Sequence, residues 1–303
     1  MTSHIPRRFL HTSRVLHHEN PLGLPHKGTI PRFQRGLPQK RPIKGVSHIV
    51  AVSSAKGGVG KSTVAANLAL ALARLGLRAG ILDTDIFGPS IPTLFDLAGT
   101  EPRLTENNQL LPLTNYGVKT MSLGYLHPDE SAPVVWRGPM LLKAVQQLLH
   151  DVDWAAAGGV DVLVLDLPPG TGDVQLSIAQ QVPVDGAVVV TTPHILAVKD
   201  AVKGVGMFGK VGVPVLGLVQ NMSVFKCPCC GGETKVFGGD ERVVQMCEEY
   251  GIEMLGDVPL HPNIGEDGSR GKPTVAAEPE SDRAGVFMDV ARKLAGKIGL
   301  EVS

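Results

Sequence analysis

The sequence predicts an α/β protein whose doubly wound, mostly parallel sheet carries helices on both faces. Three observations lead there. A glycine loop ending in GKST joins a β-branched run to a helical pattern across residues 49–75. A second apolar run, VDVLVLDL at 160–167, closes on an aspartate. Short β-rich runs at 78–83, 118–123, 186–192 and 213–219 alternate with helical stretches, which is how repeated β–α units build one sheet covered on both sides.

The first unit reads IVAVSSAKGGVGKSTV at 49–64. Residues 49–52 suit a buried strand, and the helix pattern runs on to Leu75. Between them lies a phosphate-binding P-loop. Side chains at Gly57, Gly58 and Gly60 would keep the backbone N–H groups from closing on phosphate oxygens, and the helix N-terminus adds a positive dipole. The nucleotide-binding set is Ala55, Lys56, Gly57, Gly58, Val59, Gly60, Lys61, Ser62 and Thr63. Lys61 is placed for the β- and γ-phosphates, Ser62 for Mg²⁺ and Thr63 for the α-phosphate. With Ala55 at the usual first glycine and Lys56 after it, the loop resembles the deviant P-loop of the MinD, ArsA and nitrogenase iron-protein ATPases. That resemblance implies a homodimer in which Lys56 crosses to the partner's nucleotide.

The run at 78–83 reads as the second strand and ends in DTDIFGPS at 83–90. Carboxylates at the carboxyl end of a parallel strand beside a P-loop sit where a doubly wound sheet builds its site. In the resembled ATPases the second aspartate of such a pair orients the attacking water, which implies that role for Asp85, with Asp83 supporting the Mg²⁺ shell. Residues 118–123 suit a strand and 139–149 a helix, while VVWRGPM at 134–140 carries no chemistry derivable from its residues. The strand at 160–167 has the Walker-B pattern, so Asp166 is expected to hold Mg²⁺ through water. The PPGTGD segment at 168–173 is placed as a switch loop, and Asp173 suits the cap of the next helix. The strand near 213 is expected to end at Gln220, Asn221 and Met222, and the resemblance implies that Asn221 reads the adenine of ATP. A helical stretch at 283–299 mixes acids into its polar side, which suits packing against the core better than membrane binding.

Zero formal charge conceals an asymmetry. Residues 1–45 hold nine Lys or Arg and one acid; the remaining residues hold 20 bases against 28 acids, a balance of −8. The body therefore lacks the basic footprint of a nucleic-acid binder, and 4% aromatic residues give few stacking platforms. No run is long and apolar enough for stable membrane insertion. Residues 1–25 are rich in arginine and hydroxyl residues, with one acid, and are expected to be a mitochondrial transit peptide directing the chain to the matrix. Residues 26–45 read as a proline-rich linker and 46–303 as one ATPase domain.

The four cysteines lie late, at 227, 229, 230 and 247. Cys227 and Cys230 have the C-x-x-C spacing that turns two thiolates toward one metal centre. A tetrahedral zinc or a [4Fe–4S] cluster takes four ligands. One motif supplies two, so a two-fold dimer completes the set. Cys229 places a third thiol inside the motif and leaves the ligand pair open. Cys247, in the helical run RVVQMCEEY, is expected to be buried and inert.

KGGVGKST, DxDxxGPS, WRGPM, LDLPPGTGD, PVLGLVQNMS and CPxC occur here in the order of the Mrp/NBP-type iron–sulfur carrier ATPases, and the resemblance covers residues 46 to about 275. Behind a presequence, it is similar to the mitochondrial type that helps assemble respiratory complex I. The resemblance implies a labile [4Fe–4S] cluster, held by a homodimer and delivered to apoproteins under the control of ATP and Mg²⁺. Two further readings remain: a positional switch ATPase of the MinD or ParA kind, and a P-loop enzyme with structural zinc. His194 stands where the family pattern suggests glutamine.

Overall fold

Period-two alternation sorts the strand residues into two cores. Val50 and Val52 face one side of the sheet and Ile49 and Ala51 the other; Ile81 opposes Leu82, and Val162 and Val164 oppose Leu163 and Leu165. Both faces are buried, as near-continuous apolar strands require. The structure, a computed structural model, describes residues 40–126, 138–227 and 229–302. The expected presequence, most of the linker and most of the 134–140 segment lie outside the described residues.

Among the described residues seven strands run parallel: β1 (Val46–Ser53), β2 (Ala79–Asp83), β4 (Val118–Ser122), β5 (Val160–Asp166), β6 (Gly186–Thr191), β7 (Val215–Lys226) and β9 (Met254–Leu260). Their order is β4-β2-β5-β1-β6-β7-β9. Two short antiparallel strands complete the sheet: β3 (Leu113–Asn115) on β4, and β8 (Glu233–Thr234) on the end of β7. The sequence pattern does not reveal these two, because strands this short have no period to read.

On one face lie α1 (Lys61–Arg74), α2 (Ile91–Leu94), α8 (Thr274–Ala277) and α9 (Asp282–Lys297). On the other lie α3 (Gly138–His150), α4 (Asp173–Gln181), α5 (Ile195–Val211) and α6 (Glu241–Tyr250). The remaining helix, α7 (Pro262–Ser269), follows β9. The expected C-terminal helix is α9, whose Phe287, Val290, Ala291 and Leu294 are buried against α1 and β9. Among the described residues no helix is long and apolar enough to cross a membrane.

Two expectations are corrected. β7 does not stop at residues 220–222 but runs on to Lys226. Met222 turns the strand with φ +57°, and the pairing with β9 slips between Asn221 and Phe225, so a bulge rather than a loop follows Asn221. Asp173 is the first helical residue of α4, and Gly172 takes the capping position. His194 acquires a role: its Nδ1 accepts from the Leu196 N–H at 3.2 Å and caps α5.

Candidate nucleotide site and cysteine hairpin

Strand register gathers the first site. Val52 pairs with Asp166 and Asp166 with Asp83, so the P-loop and both aspartates leave the sheet at one level. β1 hands directly to the loop, and α1 starts behind Gly60 with no side-chain cap and no acid in its first turn. Its orphan N–H groups and its dipole therefore face outward as an anion site. A cavity of ≈ 500 Å³ opens there, lined by Gly57, Gly58, Gly60, Lys61, Ser62, Thr63, Asp85 and Pro169, with Ile264 and Gly265 of α7 opposite.

The glycines divide by cause. Gly58 and Gly60 have φ +80° and +82°, a region that L side chains rarely enter. A Cβ at Gly60 would also meet Asn221 Nδ2 at 2.2 Å. Gly57 has neither restriction: nothing in the protein lies within 4 Å of a Cβ placed there. Its smallness leaves room for a ligand, and no fold constraint accounts for it.

Lys61, 6% exposed, pairs through Nζ with Asp166 Oδ1 and reaches Ser62 Oγ at 3.1 Å. Asp166 is fully buried, and its second oxygen, Oδ2, has no hydrogen-bond partner. An orphaned buried carboxylate oxygen, on a residue that shares Lys61 Nζ with the Ser62 hydroxyl, fits a hydrated divalent cation. Asp83 is committed to its own loop. It accepts from the N–H groups of Asp85 and Ser90 at 3.0 Å and of Ile91 at 3.2 Å, and from Ser122 Oγ at 3.2 Å. Burial, with Asp166 adding to it, pushes the Asp83 carboxyl up to about 7. Asp85 lines the cavity half-buried; burial raises its pKa against the opposing pull of Lys61.

Ala55 and Lys56 are half-buried at the entrance of the loop. Among the described residues the Lys56 amine makes no hydrogen bond or ion pair, and Lys56 is absent from the cavity lining. Val59 is buried, and its carbonyl accepts from Asn221 Nδ2 at 2.8 Å. Asn221 thus grips the P-loop while also lining an adjoining, largely apolar cavity of ≈ 440 Å³ with Thr63, Phe225, His261 and Ile264.

Sequence reasoning missed two buried supports. Gln175 of α4 accepts from Ser53 Oγ at 3.3 Å and donates to the Pro168 carbonyl. Prolines 168 and 169 have no N–H to anchor the switch loop, so the carbonyl is what remains to hold. Asn67 links Thr63 to Val275 by hydrogen bonds of 2.9 Å each. Both are polar residues at helical core positions, the one signal that could have exposed them.

The second site is a hairpin. β7 and β8 pair Lys226 with Glu233, and the turn closes through Gly231 N–H to the Cys227 carbonyl and Cys227 N–H to the Gly232 carbonyl, each at 2.9 Å. Gly231 takes φ +68° to make it. Cys227 is half-buried, while Cys229 and Cys230 are exposed. The backbone N–H of Cys230, and after it that of Cys229, lowers the Cys227 thiol pKa and so favours the thiolate, the form in which a cysteine can bind a metal. Among the described residues, no group of three or more His, Cys, Asp or Glu side chains is arranged to hold a metal ion. Cys247 is buried in α6, and burial raises its thiol pKa.

Residues 45–295 match the model of the ParA family described as NUBPL iron-transfer P-loop NTPase. The chain belongs to that family. The chain is 50% identical over 268 residues to the mouse iron–sulfur cluster transfer protein NUBPL, covering 88% of this chain and 82% of the mouse protein. It is 49% identical over 258 residues to the iron–sulfur cluster carrier protein of Escherichia coli, covering 84% and 68%. Among solved structures, the nucleotide-binding protein of Archaeoglobus fulgidus in complex with ADP superposes with TM-score 0.67 at 34% identity, covering 81% of this chain and 93% of that one. MinD of Aquifex aeolicus, at 21% identity and TM-score 0.58, shares the fold. The NUBPL-family chain described here therefore carries its P-loop and its cysteine hairpin on a MinD-like sheet.

Proposed function

We propose that this chain is an ATP-binding iron–sulfur cluster carrier that works as a homodimer in the mitochondrial matrix. Two copies hold a labile [4Fe–4S] cluster between Cys227 and Cys230 of each and deliver it to apoproteins, with respiratory complex I subunits as clients. The observation that carries the reading is the incomplete cysteine site: one hairpin presents a two-ligand motif beside a third, exposed thiol, on the strand that also grips the P-loop. The names of the mouse and bacterial relatives support cluster transfer, and the ADP complex of the Archaeoglobus protein supports nucleotide binding.

Within one copy, the N–H groups of residues 57–63 bind the phosphates, and Lys61 leaves Asp166 for the β- and γ-oxygens. Asp166 and Ser62 would hold Mg²⁺, which neutralises phosphate charge there. Asp83 fixes the loop that aims Asp85 at the attacking water, and burial makes that carboxylate a better proton acceptor than a solvated one. Lys56 reaches the partner's nucleotide, and Asn221 favours adenine. Hydrolysis resets the dimer and is not a metabolic step in itself. Residues 1–25 direct import, 26–45 link, and 46–303 form the carrier domain. Neither nucleic-acid binding nor stable membrane insertion belongs to this reading.

The test is anaerobic reconstitution of the wild type beside Cys227→Ala, Cys229→Ala and Cys230→Ala. A brown wild type with iron and sulfide, lost in the 227 and 230 variants and kept in the 229 variant, supports the assignment. A colourless protein loaded with zinc contradicts it.

A further inference from the structure

The longest strand of the sheet connects the two sites, and it is interrupted between them. β7 enters from Val215, passes behind the P-loop, and reaches the cysteine hairpin at Lys226. Asn221 interlocks with the loop: its amide holds the Val59 carbonyl at 2.8 Å, and the space that Gly60 leaves open is filled by the same amide. The next residue, Met222, has φ +57°. A long unbranched side chain in the left-handed region inside a strand is a conformational outlier that persists only where its surroundings impose it. The surroundings do. Asn221 pairs with Val258 and Phe225 with Leu260, so four residues of step on β7 oppose two on β9. Ser223 Oγ ties the excess to the Val258 carbonyl at 3.2 Å, and Phe225 is clamped between Leu260 and Thr234 of β8.

We propose that the Asn221–Met222 bulge is the positioning element that transmits the state of the P-loop to the cysteine hairpin. This rests on the proposed nucleotide and cluster sites and assigns the residues that couple them. A ligand that draws the Val59–Gly60 backbone toward its phosphates moves the carbonyl that Asn221 holds. This bulge holds three residues of β7 against one of β9, two in excess, so it responds by changing register, and a slip of a single residue would reverse the faces of the strand's side chains. The hairpin beyond Phe225 then moves as a unit, carrying Cys227, Cys229 and Cys230 with it. Coupling through an element with discrete arrangements is what a nucleotide-gated hold on a metal centre needs.

The experiment uses the full chain without cluster, under reducing anaerobic conditions. Alkylation of each cysteine by iodoacetamide is followed by peptide mass spectrometry with no nucleotide, with MgADP and with a non-hydrolysable Mg–ATP analogue. Nucleotide affinity is measured separately by calorimetry. The wild type is expected to show a severalfold change in hairpin alkylation between nucleotide states, in either direction, with buried Cys247 unchanged as the internal control. Met222→Gly frees φ at this position, so the bulge ceases to be a two-state element: the variant binds nucleotide but loses the dependence of hairpin alkylation on it. Met222→Asn, which tolerates the left-handed region, restores the response. A Met222→Gly protein whose thiols respond as the wild type does overturns the proposal. So does a wild type that binds nucleotide with unmoved thiols, and that result leaves the proposed nucleotide site standing. A wild type that binds no nucleotide overturns the proposed function and this coupling together.

Discussion

The P-loop and the cysteine hairpin share a strand but are built in opposite ways. Around the loop, charged and polar groups are buried and engaged: Lys61 on Asp166, Asp83 on three N–H groups, Asn221 on Val59. The proposed phosphate cradle is thus formed by one chain before any ligand arrives, apart from the lysine that the proposal has change partner. The hairpin pairs only the last two residues of β7 with the two-residue β8, and its thiols lie at half-buried or exposed positions. Preorganisation suits a ligand that is bound and released many times. An open, two-ligand motif suits cargo that must be completed by another molecule and then surrendered.

Mutations should separate the two regions. The largest effect is expected at the hairpin, where Cys227→Ser or Cys230→Ser abolishes cluster retention on reconstitution while calorimetry shows unchanged nucleotide affinity. Loss of nucleotide binding in these variants would mean that the regions are not separable. At the loop, Lys61→Ala is expected to abolish nucleotide binding and to cost about 3–5 kcal/mol in urea unfolding, because Asp166 is left buried and uncompensated. Gly57→Ala should weaken nucleotide binding and leave stability intact. Its Cβ meets nothing in the protein, so unfolding stability stays within about 0.5 kcal/mol, while nucleotide affinity falls at least about tenfold, or about 1.4 kcal/mol.

A smaller effect is expected from pH. The folded Asp83 pKa, about 7, lies above its ordinary value of 3.8. Between those values the native state binds a proton that the unfolded chain has released, so this group makes the ligand-free protein less stable as pH rises from 3.8 to about 7 and adds no slope above that. Asp83→Asn should flatten that segment of a urea-unfolding profile; an unchanged slope would assign it to another group. Smallest of all, His194→Ala removes the α5 cap at a cost of about 1 kcal/mol, visible in thermal melts, with both sites working.

The β1, β2 and β5 elements and the whole P-loop were legible in the sequence because their signals are local. An apolar run, a glycine loop and a terminal aspartate lie within a few residues of one another. Asp83 and Asp166 could be placed for the same reason, and register then aligned them. What the sequence did not disclose depends on partners far along the chain. Asn221 holds Val59 across 162 residues and Gln175 meets Ser53 across 122, and no periodicity encodes either. The Met222 bulge arises from the mismatch between β7 and β9, which neither strand shows alone. The hairpin was half legible: C-x-x-C spacing marked the proposed metal ligands, but the two-residue strand β8 that closes the turn was too short to read.

The proposal stands on a cluster shared by two copies. Sedimentation of the anaerobically reconstituted protein, with iron counted in the same fractions, examines that sharing without intermediaries. A dimer containing one [4Fe–4S] cluster per two chains, falling to monomers when the cluster is chelated, is the expected result. A monomer that retains a full cluster on ligands of its own chain would contradict it.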